Sequence, residues 1–174
     1  MDRDLTFRNA RPEDAADLAV IGRDTFVETF GHLYEPADLK AYLDATFTLE
    51  NMKTDLADEA VGLRVALAGR RIVGYVKVGP VKLPIDTGPE PALELHRIYV
   101  YEARQGVGVG RILLSWAIDC ARQRGAANLY LGVYEHNDRA IAVYESRGFE
   151  KVGAYKFPVG NTRDNEIIMK LALH

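Results

Sequence analysis

Seven consecutive residues, Gln105–Arg111, form the part of the sequence best suited to chemistry. Three of them are glycines at alternate positions, Gly106, Gly108 and Gly110. Glycines let the backbone turn tightly and expose consecutive N–H groups, and an apolar helical pattern follows directly, so the N-terminus of that helix adds a positive dipole end. The expected guest is a phosphate or pyrophosphate, with Arg111 as a charged partner.

The spacing of this loop excludes two common nucleotide-binding motifs. A Walker A loop needs Lys followed by Ser or Thr after its last glycine, whereas Arg111 and Ile112 follow Gly110. A dinucleotide-binding loop needs glycines at its first, third and sixth positions, and neither Gly106 nor Gly108 as the first glycine satisfies that pattern. A flexible glycine-rich turn that caps a helix is the alternative interpretation of this loop taken alone.

Two ionisable residues lie on the strand predicted over Leu93–Val100, just before the loop. Glu94 and His96 share one face of that strand because side chains alternate with a period of two, which places them about 7 Å apart. Either could accept a proton, directly or through water, and a histidine needs little adjustment of its pKa for this role. The alternative is a solvated or ion-paired Glu94 with His96 as a polar neighbour.

A further set of candidate residues lies on a helix predicted over residues 137–147. Asn137 suits the N-cap of this helix and Gly148 its C-terminal end. Tyr144 follows Asn137 by two helical turns and therefore lies on the same face. A phenol is a proton donor at neutral pH, although a core tyrosine packed beside Phe149 would show the same pattern.

The elements that must position these residues change character along the chain. An N-terminal strand at Leu5–Arg8 and helices over residues 12–31, 36–47 and 50–58 precede a region of strands. Further strands are predicted over residues 63–67, 72–78, 93–100, 129–133, 149–157 and 166–173, with helices over 106–124 and 137–147. Helices followed by a sheet that two helices cross indicate a mixed α/β (α+β) fold.

Length, composition and charge exclude several classes of protein. The 174 residues support a single domain over residues 1–174. With 22 basic and 25 acidic residues and no basic block, nucleic-acid binding has no electrostatic support, and no apolar run approaches the roughly 18 residues of a membrane span. Cys120 is the only cysteine and the charged N-terminus does not look like a secretory signal, which predicts a cytoplasmic protein. No metal-ligand spacing is present, so no metal is predicted.

In order and spacing, the motifs together resemble those of the GNAT superfamily of N-acetyltransferases. The pattern Gln105-x-x-Gly108-x-Gly110 is similar to the acetyl-CoA pyrophosphate loop of that superfamily. The pattern Asn137-x-x-Ala140-x-x-x-Tyr144, followed by Gly148-Phe149, is similar to its second CoA-side segment. The resemblance implies an acyl-CoA N-acyltransferase fold, with a central, mostly antiparallel sheet flanked by helices, and acetyl-CoA as co-substrate.

The resemblance also implies roles for individual residues. Glu94 matches the place of a glutamate base, with His96 or a chain of water molecules as the alternatives. Tyr144 is the expected general acid toward the leaving thiolate, and the strand backbone near Ile98 and Val100 is expected to contact the pantetheine arm and the oxyanion. The predicted acetyl-CoA contacts are Ile98, Tyr99, Val100, Gln105, Gly106, Val107, Gly108, Val109, Gly110, Arg111, Asn137, Ala140 and Tyr144.

A closer resemblance concerns the acceptor. Residues 25–30, 40–43, 74–78 and 131–135 look like those of the bacterial PaiA-type polyamine acetyltransferases, which implies a small primary amine such as spermidine or spermine as substrate. Acidic and aromatic side chains suit a polyamine, and the candidates are Glu28, Tyr34 and Tyr155. The alternatives are a peptide or protein α-amine, another small amine, or a CoA-binding sensor without turnover. Superfamily members often form homodimers, so a homodimer is a possible partner.

Overall fold

The protein is described by a computed structural model that covers residues 4–174. This part of the chain contains seven strands and five α-helices, in the order that the sequence predicts. They are β1 (Leu5–Asn9), α1 (Ala15–Phe30), α2 (Pro36–Thr46), α3 (Leu49–Ala57), β2 (Gly62–Ala68), β3 (Arg71–Gly79), β4 (Ala92–Val100), α4 (Val109–Gln123), β5 (Asn128–Tyr134), α5 (Asp138–Ser146), β6 (Glu150–Val159) and β7 (Thr162–Ala172).

The strands form one sheet in the order β1-β2-β3-β4-β5-β7-β6. Neighbouring strands are antiparallel except β4 and β5, which are parallel. Helices α1–α3 pack on one face, around Leu18, Ile21 and Met52, and α4 and α5 pack on the other, around Leu113 and Ile141. The predicted mixed α/β fold, with a mostly antiparallel sheet between helices, is therefore confirmed.

Local signals set the helix boundaries. Pro36 occupies the first turn of α2, where its missing N–H costs nothing. The Thr48 side chain accepts a hydrogen bond from the Asn51 N–H at 3.0 Å and caps α3. Asn137 caps α5 as predicted, because its Oδ1 accepts from the Ala140 N–H at 3.3 Å. None of the helices within residues 4–174 combines the length and the apolar character that crossing a bilayer requires.

Two differences from the predicted boundaries concern the glycine-rich loop and the last hairpin. Helix α4 begins at Val109 instead of Gly106, because Gly106 and Gly108 have positive φ angles and form the loop. Strand β7 begins at Thr162 instead of Glu166, because its polar first residues pair with β6 in a tight hairpin. These residues show no apolar alternation, so only cross-strand pairing reveals them as strand.

The sheet splays open in its centre. Strands β4 and β5 pair only over residues 92–94 and 128–130, and β5 then continues beside β7. Beyond Glu94, the edge of β4 that faces β5 therefore has no partner strand as far as Val100. On its other edge, the register with β3 shifts between Lys77 and Val78, which leaves His96 as a bulge in β4. Both irregularities lie at the cavity described below.

Candidate active site

A cavity of about 940 Å³ opens at the splayed strands and reaches both faces of the sheet. What we call the loop half is lined by Gln105, Gly108, Arg111, Asn137 and Tyr144, from the glycine-rich loop, α4 and α5. The other part, the aromatic half, is lined by Phe26, Tyr42, Tyr99, Tyr155 and Phe157. The aromatic rings contact one another: the Tyr42 and Phe157 centroids lie 5.8 Å apart, and those of Tyr155 and Phe157 6.4 Å apart.

The glycine-rich loop has the geometry of an anion cradle. Gly108 adopts φ +93° at the N-cap of α4, a conformation that a residue with a Cβ adopts at a cost of about 1–2 kcal/mol. The Gln105 side chain anchors the loop, because its Nε2 donates to the Val100 carbonyl at 3.1 Å and its Oε1 accepts from Arg139 at 3.2 Å. Exposed backbone N–H groups, the helix dipole and two guanidinium groups can together hold a diphosphate.

The structure separates the predicted loop contacts into two groups. Gln105, Gly106, Gly108, Gly110 and Arg111 line the cavity. The other two residues of the loop lie outside the lining: Val109, the first residue of α4, is buried in the core, and Val107 is exposed to solvent. The backbone of these two residues still shapes the loop, but their side chains face away from a bound anion.

The free edge of β4 forms the floor between the two halves. Ile98, Tyr99 and Val100 line the cavity, as do Asn137 and Ala140 of α5. Because the β4 edge lacks a neighbouring strand there, an extended ligand with amide groups can add to it as a strand would. This floor leads from the loop half to the aromatic half.

Glu94 and His96 lie side by side on β4, as the sequence predicts. Glu94 is 7% exposed, and its Oε2 accepts hydrogen bonds from the N–H groups of Lys82 at 2.7 Å and Leu83 at 3.2 Å. Its Oε1 lies 3.5 Å from His96 Nδ1. His96 Nε2 lies 2.9 Å from the carbonyl of Pro80, which can only accept, so Nε2 carries the proton.

Burial shifts both groups toward their neutral forms. Burial raises the pKa of Glu94, opposed by the two backbone hydrogen bonds. Burial, and then the charge of Lys77, lower the pKa of His96 to about 4. His96 is therefore neutral at physiological pH. One oxygen of Glu94 is engaged by the Lys82–Leu83 segment, so this carboxylate also holds the loop before β4 in place.

A second carboxylate, Glu166 on β7, was missed by the sequence analysis. It lines the cavity, and its Oε2 accepts from the Tyr155 hydroxyl at 3.3 Å. Burial raises its pKa to about 7, against the effect of the Tyr155 hydrogen bond. A glutamate directly before the apolar run Ile167–Met169 was an available signal for a site residue. The predicted β7 begins at this residue, which makes Glu166 the end of a strand.

Tyr144 satisfies both interpretations of its sequence pattern. It lines the cavity, and its ring packs edge-on against Phe149 with the centroids 5.6 Å apart. Burial, followed by the charge of Glu166, raises the pKa of its hydroxyl to about 12. The phenol is therefore protonated at neutral pH and can donate a proton or a hydrogen bond into the cavity.

The three predicted acceptor residues are placed differently. Tyr155 lines the aromatic half, whereas Glu28 and Tyr34 do not contribute to the cavity lining. Glu28 Oε2 accepts from the Glu102 N–H at 3.0 Å, near the connection from β4 to α4. The Tyr34 hydroxyl donates to Asp164 of β7, and the Tyr34 ring stacks on Phe26. Tyr34 thus ties the α1–α2 connection to the sheet.

Arg97 is another cavity residue that the sequence analysis did not single out. Since His96 is the bulge, both Arg97 and His96 lie on the α1–α3 side of β4, where simple alternation would separate them. The guanidinium lies 4.8 Å from the centroid of the Phe47 ring. No grouping of three His, Cys, Asp or Glu side chains suited to a metal ion occurs within the described residues.

Comparison with known proteins agrees with this geometry. The sequence profile of the Acetyltransferase (GNAT) family matches residues 24–149. An uncharacterized N-acetyltransferase from the pepI 3′ region of Lactobacillus delbrueckii subsp. lactis is 28% identical over 161 residues, which cover 92% of this chain and 93% of that protein.

Two solved structures are similar along nearly their whole length. The PaiA N-acetyltransferase of Thermoplasma acidophilum, crystallised with coenzyme A, has a TM-score of 0.77 at 16% identity and covers 97% of this chain and 98% of its own. A ribosomal-protein-alanine N-acetyltransferase of Brucella melitensis has a TM-score of 0.69 at 28% identity, with coverages of 97% and 99%.

The fold and the splayed, glycine-capped cavity are those of an acyltransferase. The chain belongs to the GNAT acetyltransferase family and is an N-acetyltransferase. The likeness to PaiA shows the shared fold, and the specific polyamine subfamily stays a prediction.

Proposed function

We propose that the protein transfers an acetyl group from acetyl-CoA to the primary amine of a small molecule, by direct attack while both substrates are bound. The observation that carries this proposal is the continuous cavity, which joins the anion cradle at Gly108 to the aromatic half across the free edge of β4. Coenzyme A bound to the PaiA structure and acetyl-CoA bound to the YncA structure of Salmonella typhimurium support the choice of donor.

The residues of the loop half suit coenzyme A. Its diphosphate would lie on the N–H groups of the glycine-rich loop, with Arg111 and Arg139 as charged partners. Its pantetheine amides would pair with the free edge of β4 near Ile98 and Val100. When bound, acetyl-CoA supplies the activated acetyl group as a thioester. Ile98 and Val100 would thereby hold the acetyl group near the junction of the two halves of the cavity.

Glu166 is the residue that we propose accepts the proton that the substrate ammonium must lose, directly or through water, before its neutral amine attacks the thioester. An efficient base has a pKa near the working pH, which the burial of Glu166 provides. Glu94 was the candidate from the sequence and also lines the cavity, but one of its oxygens already accepts two backbone hydrogen bonds. We assign Glu94 the role of orienting His96 and the Lys82–Leu83 segment.

Tyr144 is the proposed proton donor to the leaving thiolate. It lies on the same helix as Asn137 and lines the cavity with it. A thiolate of pKa near 8.5 leaves more readily when it receives a hydrogen bond or a proton, and the Tyr144 phenol holds its proton at neutral pH. Acid and base then come from α5 and β7.

The acceptor is proposed to be small because α2 closes the aromatic half toward the β6–β7 turn. Asp38 accepts hydrogen bonds from the Asn161 N–H at 3.0 Å and the Thr162 hydroxyl at 2.9 Å, and the Tyr34–Asp164 contact adds a second tie. A peptide α-amine is the second candidate, supported by the alanine N-acetyltransferase from Brucella melitensis. Glu166 and Tyr155 suit any ammonium, a predicted polyamine included.

The proposal is tested by following release of free CoA thiol from acetyl-CoA with a panel of small amines, spermidine and an N-terminal alanine peptide. Acetylation of one or more small amines, confirmed by mass spectrometry of the product, is the expected result. Thiol release with the peptide alone would replace the small acceptor by a peptide. If neither the small amines nor the peptide support thiol release, the transferase proposal is removed. The cytoplasmic location, the possible homodimer and the absence of metal, nucleic-acid and membrane partners stay predictions.

A further inference from the structure

Arg97 is a cation with no anion beside it. Its guanidinium lies over the ring of Phe47, and it lines the aromatic half of the cavity. No carboxylate of residues 4–174 lies within ion-pair distance of it. The groups that act on its charge are the phenols of Tyr42, Tyr75 and Tyr99 and, more weakly and beyond ion-pair distance, the carboxylate of Asp55. A half-buried charge that lacks an opposite charge destabilises the fold, so a purely structural role does not account for Arg97.

The groups around Arg97 do not neutralise it. Lys77, the cross-strand neighbour of Arg97 on β3, is a second buried cation, but Asp55 of α3 pairs with it at 2.7 Å. The hydroxyl of Tyr75 is buried and has no hydrogen-bond partner, so this cluster has unused hydrogen-bonding capacity. Of the two cations on β3 and β4 that line the cavity here, Lys77 has an ion-pair partner and Arg97 has none among the described residues.

The opposite wall of the same cavity has the opposite character. Glu166 and Tyr155 lie on β7 and β6. The cavity is thus divided into an acidic wall that suits an ammonium and a basic wall at Arg97. A polyamine carries only cations, and its second ammonium group would face Arg97 without compensation.

We propose that Arg97 binds a carboxylate of the acceptor, so that the substrate class is a small amino acid-like molecule whose amine faces Glu166. This inference rests on the proposed acetyltransferase function and replaces the polyamine by an amino-carboxylate. The planar guanidinium presents parallel N–H donors that match a carboxylate in a bidentate pair, and Phe47 holds its plane.

The test compares acceptors that differ only in the carboxylate. β-Alanine, γ-aminobutyrate, lysine and glycine are each assayed against the corresponding carboxamide, with spermidine as the polyamine. The carboxylate form of at least one pair is expected to have the higher kcat/KM by about 10- to 100-fold, the range of a charge-assisted hydrogen-bonded pair. Equal rates for acid and amide in every pair, or a preference for spermidine, overturn the inference.

Variants of Arg97 separate recognition from folding. Arg97→Gln is expected to raise KM for the preferred amino acid about 10- to 100-fold and to change KM for the carboxamide much less, so that the preference for the acid over the amide is lost. Arg97→Lys keeps the charge and loses the bidentate geometry. Its KM for the preferred amino acid is therefore expected to lie between those of the wild type and Arg97→Gln. An equal loss for acid and amide in both variants, at unchanged melting temperature, would show a structural role and overturn the inference.

A binding experiment keeps this inference distinct from the transferase proposal. The same acid and amide pairs are titrated calorimetrically into protein saturated with CoA, for the wild type and for Arg97→Gln. Tighter binding of the acid to the wild type alone supports the carboxylate site even when no turnover is detected, in which case only the transferase proposal fails. No discrimination between acid and amide in binding overturns the carboxylate site whatever the turnover.

Discussion

The hydroxyl of Tyr155 and the carboxylate of Glu166 lie 3.3 Å apart as cross-strand neighbours on β6 and β7, and both project over Gly132 of β5. A Cβ at residue 132 would fall 2.8 Å from the Tyr155 hydroxyl oxygen and 3.1 Å from Glu166 Oε2. The carboxylate therefore reaches the cavity through space that the missing side chain leaves free. Gly132, which has no functional group of its own, thereby leaves room for the carboxylate of Glu166.

Glu166→Gln should abolish most of the turnover. The amide keeps the size and a hydrogen bond to Tyr155 but cannot accept the proton, so kcat is expected to fall by about 100- to 10,000-fold. In the wild type, kcat/KM should rise with pH through about 7, as Glu166 becomes a carboxylate, and the variant should lack that rise. Stopped-time assays of thiol release between pH 5.5 and 9, values chosen to span about two units around that pKa, measure both.

Glu94→Gln is the matched control, because it makes the same change on the other carboxylate of the cavity. Its side chain still accepts from the Lys82–Leu83 backbone through one oxygen, so we expect a modest loss of kcat with the pH profile retained. If Glu94→Gln removes the rise near pH 7 and Glu166→Gln keeps it, the base is Glu94, as the sequence analysis proposed.

The free energy of unfolding should depend on pH through the titration of Glu166. Its pKa in the folded state is raised to about 7 from 4.5, so the folded state binds the proton more tightly than the unfolded state. The contribution of this proton is fully present below pH 4.5 and is lost as the pH rises through about 7. Glu166→Gln should therefore be more stable than the wild type at pH 8, by up to about 3 kcal/mol, and equal to it near pH 4. Urea unfolding at the two pH values measures the difference in unfolding free energy between variant and wild type. The same difference at pH 4 and pH 8 would show that the pKa of Glu166 is not raised in the folded state.

Tyr144→Phe should separate turnover from binding. The ring still packs on Phe149, so folding and CoA affinity are expected to change little, while kcat falls about 10- to 1,000-fold because the proton donor is lost. Calorimetry with CoA and assays of thiol release on the same preparation give the two numbers. A parallel loss of CoA affinity and turnover would instead identify Tyr144 as a packing and binding residue.

Gly108→Ala should weaken CoA binding specifically. Gly108 has φ +93°, and alanine there is strained or shifts the cradle, so the CoA dissociation constant is expected to rise about 10-fold or more. Gly69→Ala is the matched control: Gly69 also has a positive φ, +60°, with open space around it, but lies in the β2–β3 turn. Both variants should lose similar stability, and only Gly108→Ala should lose affinity. Equal CoA affinity in the two would remove the cradle from the binding site.

Gly132→Ala should lower kcat without changing CoA binding. The new methyl group collides with Tyr155 and Glu166, so both must move out of position. Gly153→Ala on β6 is the control, since its nearest neighbour, Ile85 Cδ1, lies at an ordinary contact distance of 3.5 Å. Wild-type kcat in Gly132→Ala would show that the position of Glu166 is not important for the reaction.

Local signals in the sequence determined most of the elements and one half of the site. Caps such as Asn137, alternating strands and the Gly106–Gly110 spacing act over a few neighbouring residues, so they can be interpreted without a partner strand. They predicted the mixed sheet and the anion cradle, and the resemblance to the GNAT superfamily added Tyr144 and Glu94 as candidate site residues. A glycine-rich loop must meet its ligand through its own backbone, which is why this half needed no tertiary information.

The acceptor half was decided by tertiary structure alone. Glu28 looked as suitable for a cation as Glu166, but their distance from the cavity depends on helix packing and on strand pairing between residues far apart in sequence. The β4 bulge brought Arg97 onto the same side as His96, against the period of two, because one extra residue shifts the register with β3. Charge pairing also depended on the tertiary structure: Asp55 forms its ion pair with Lys77 across the fold, whereas Arg97 has no ion pair within the described residues, a difference that no local pattern in the chain contains.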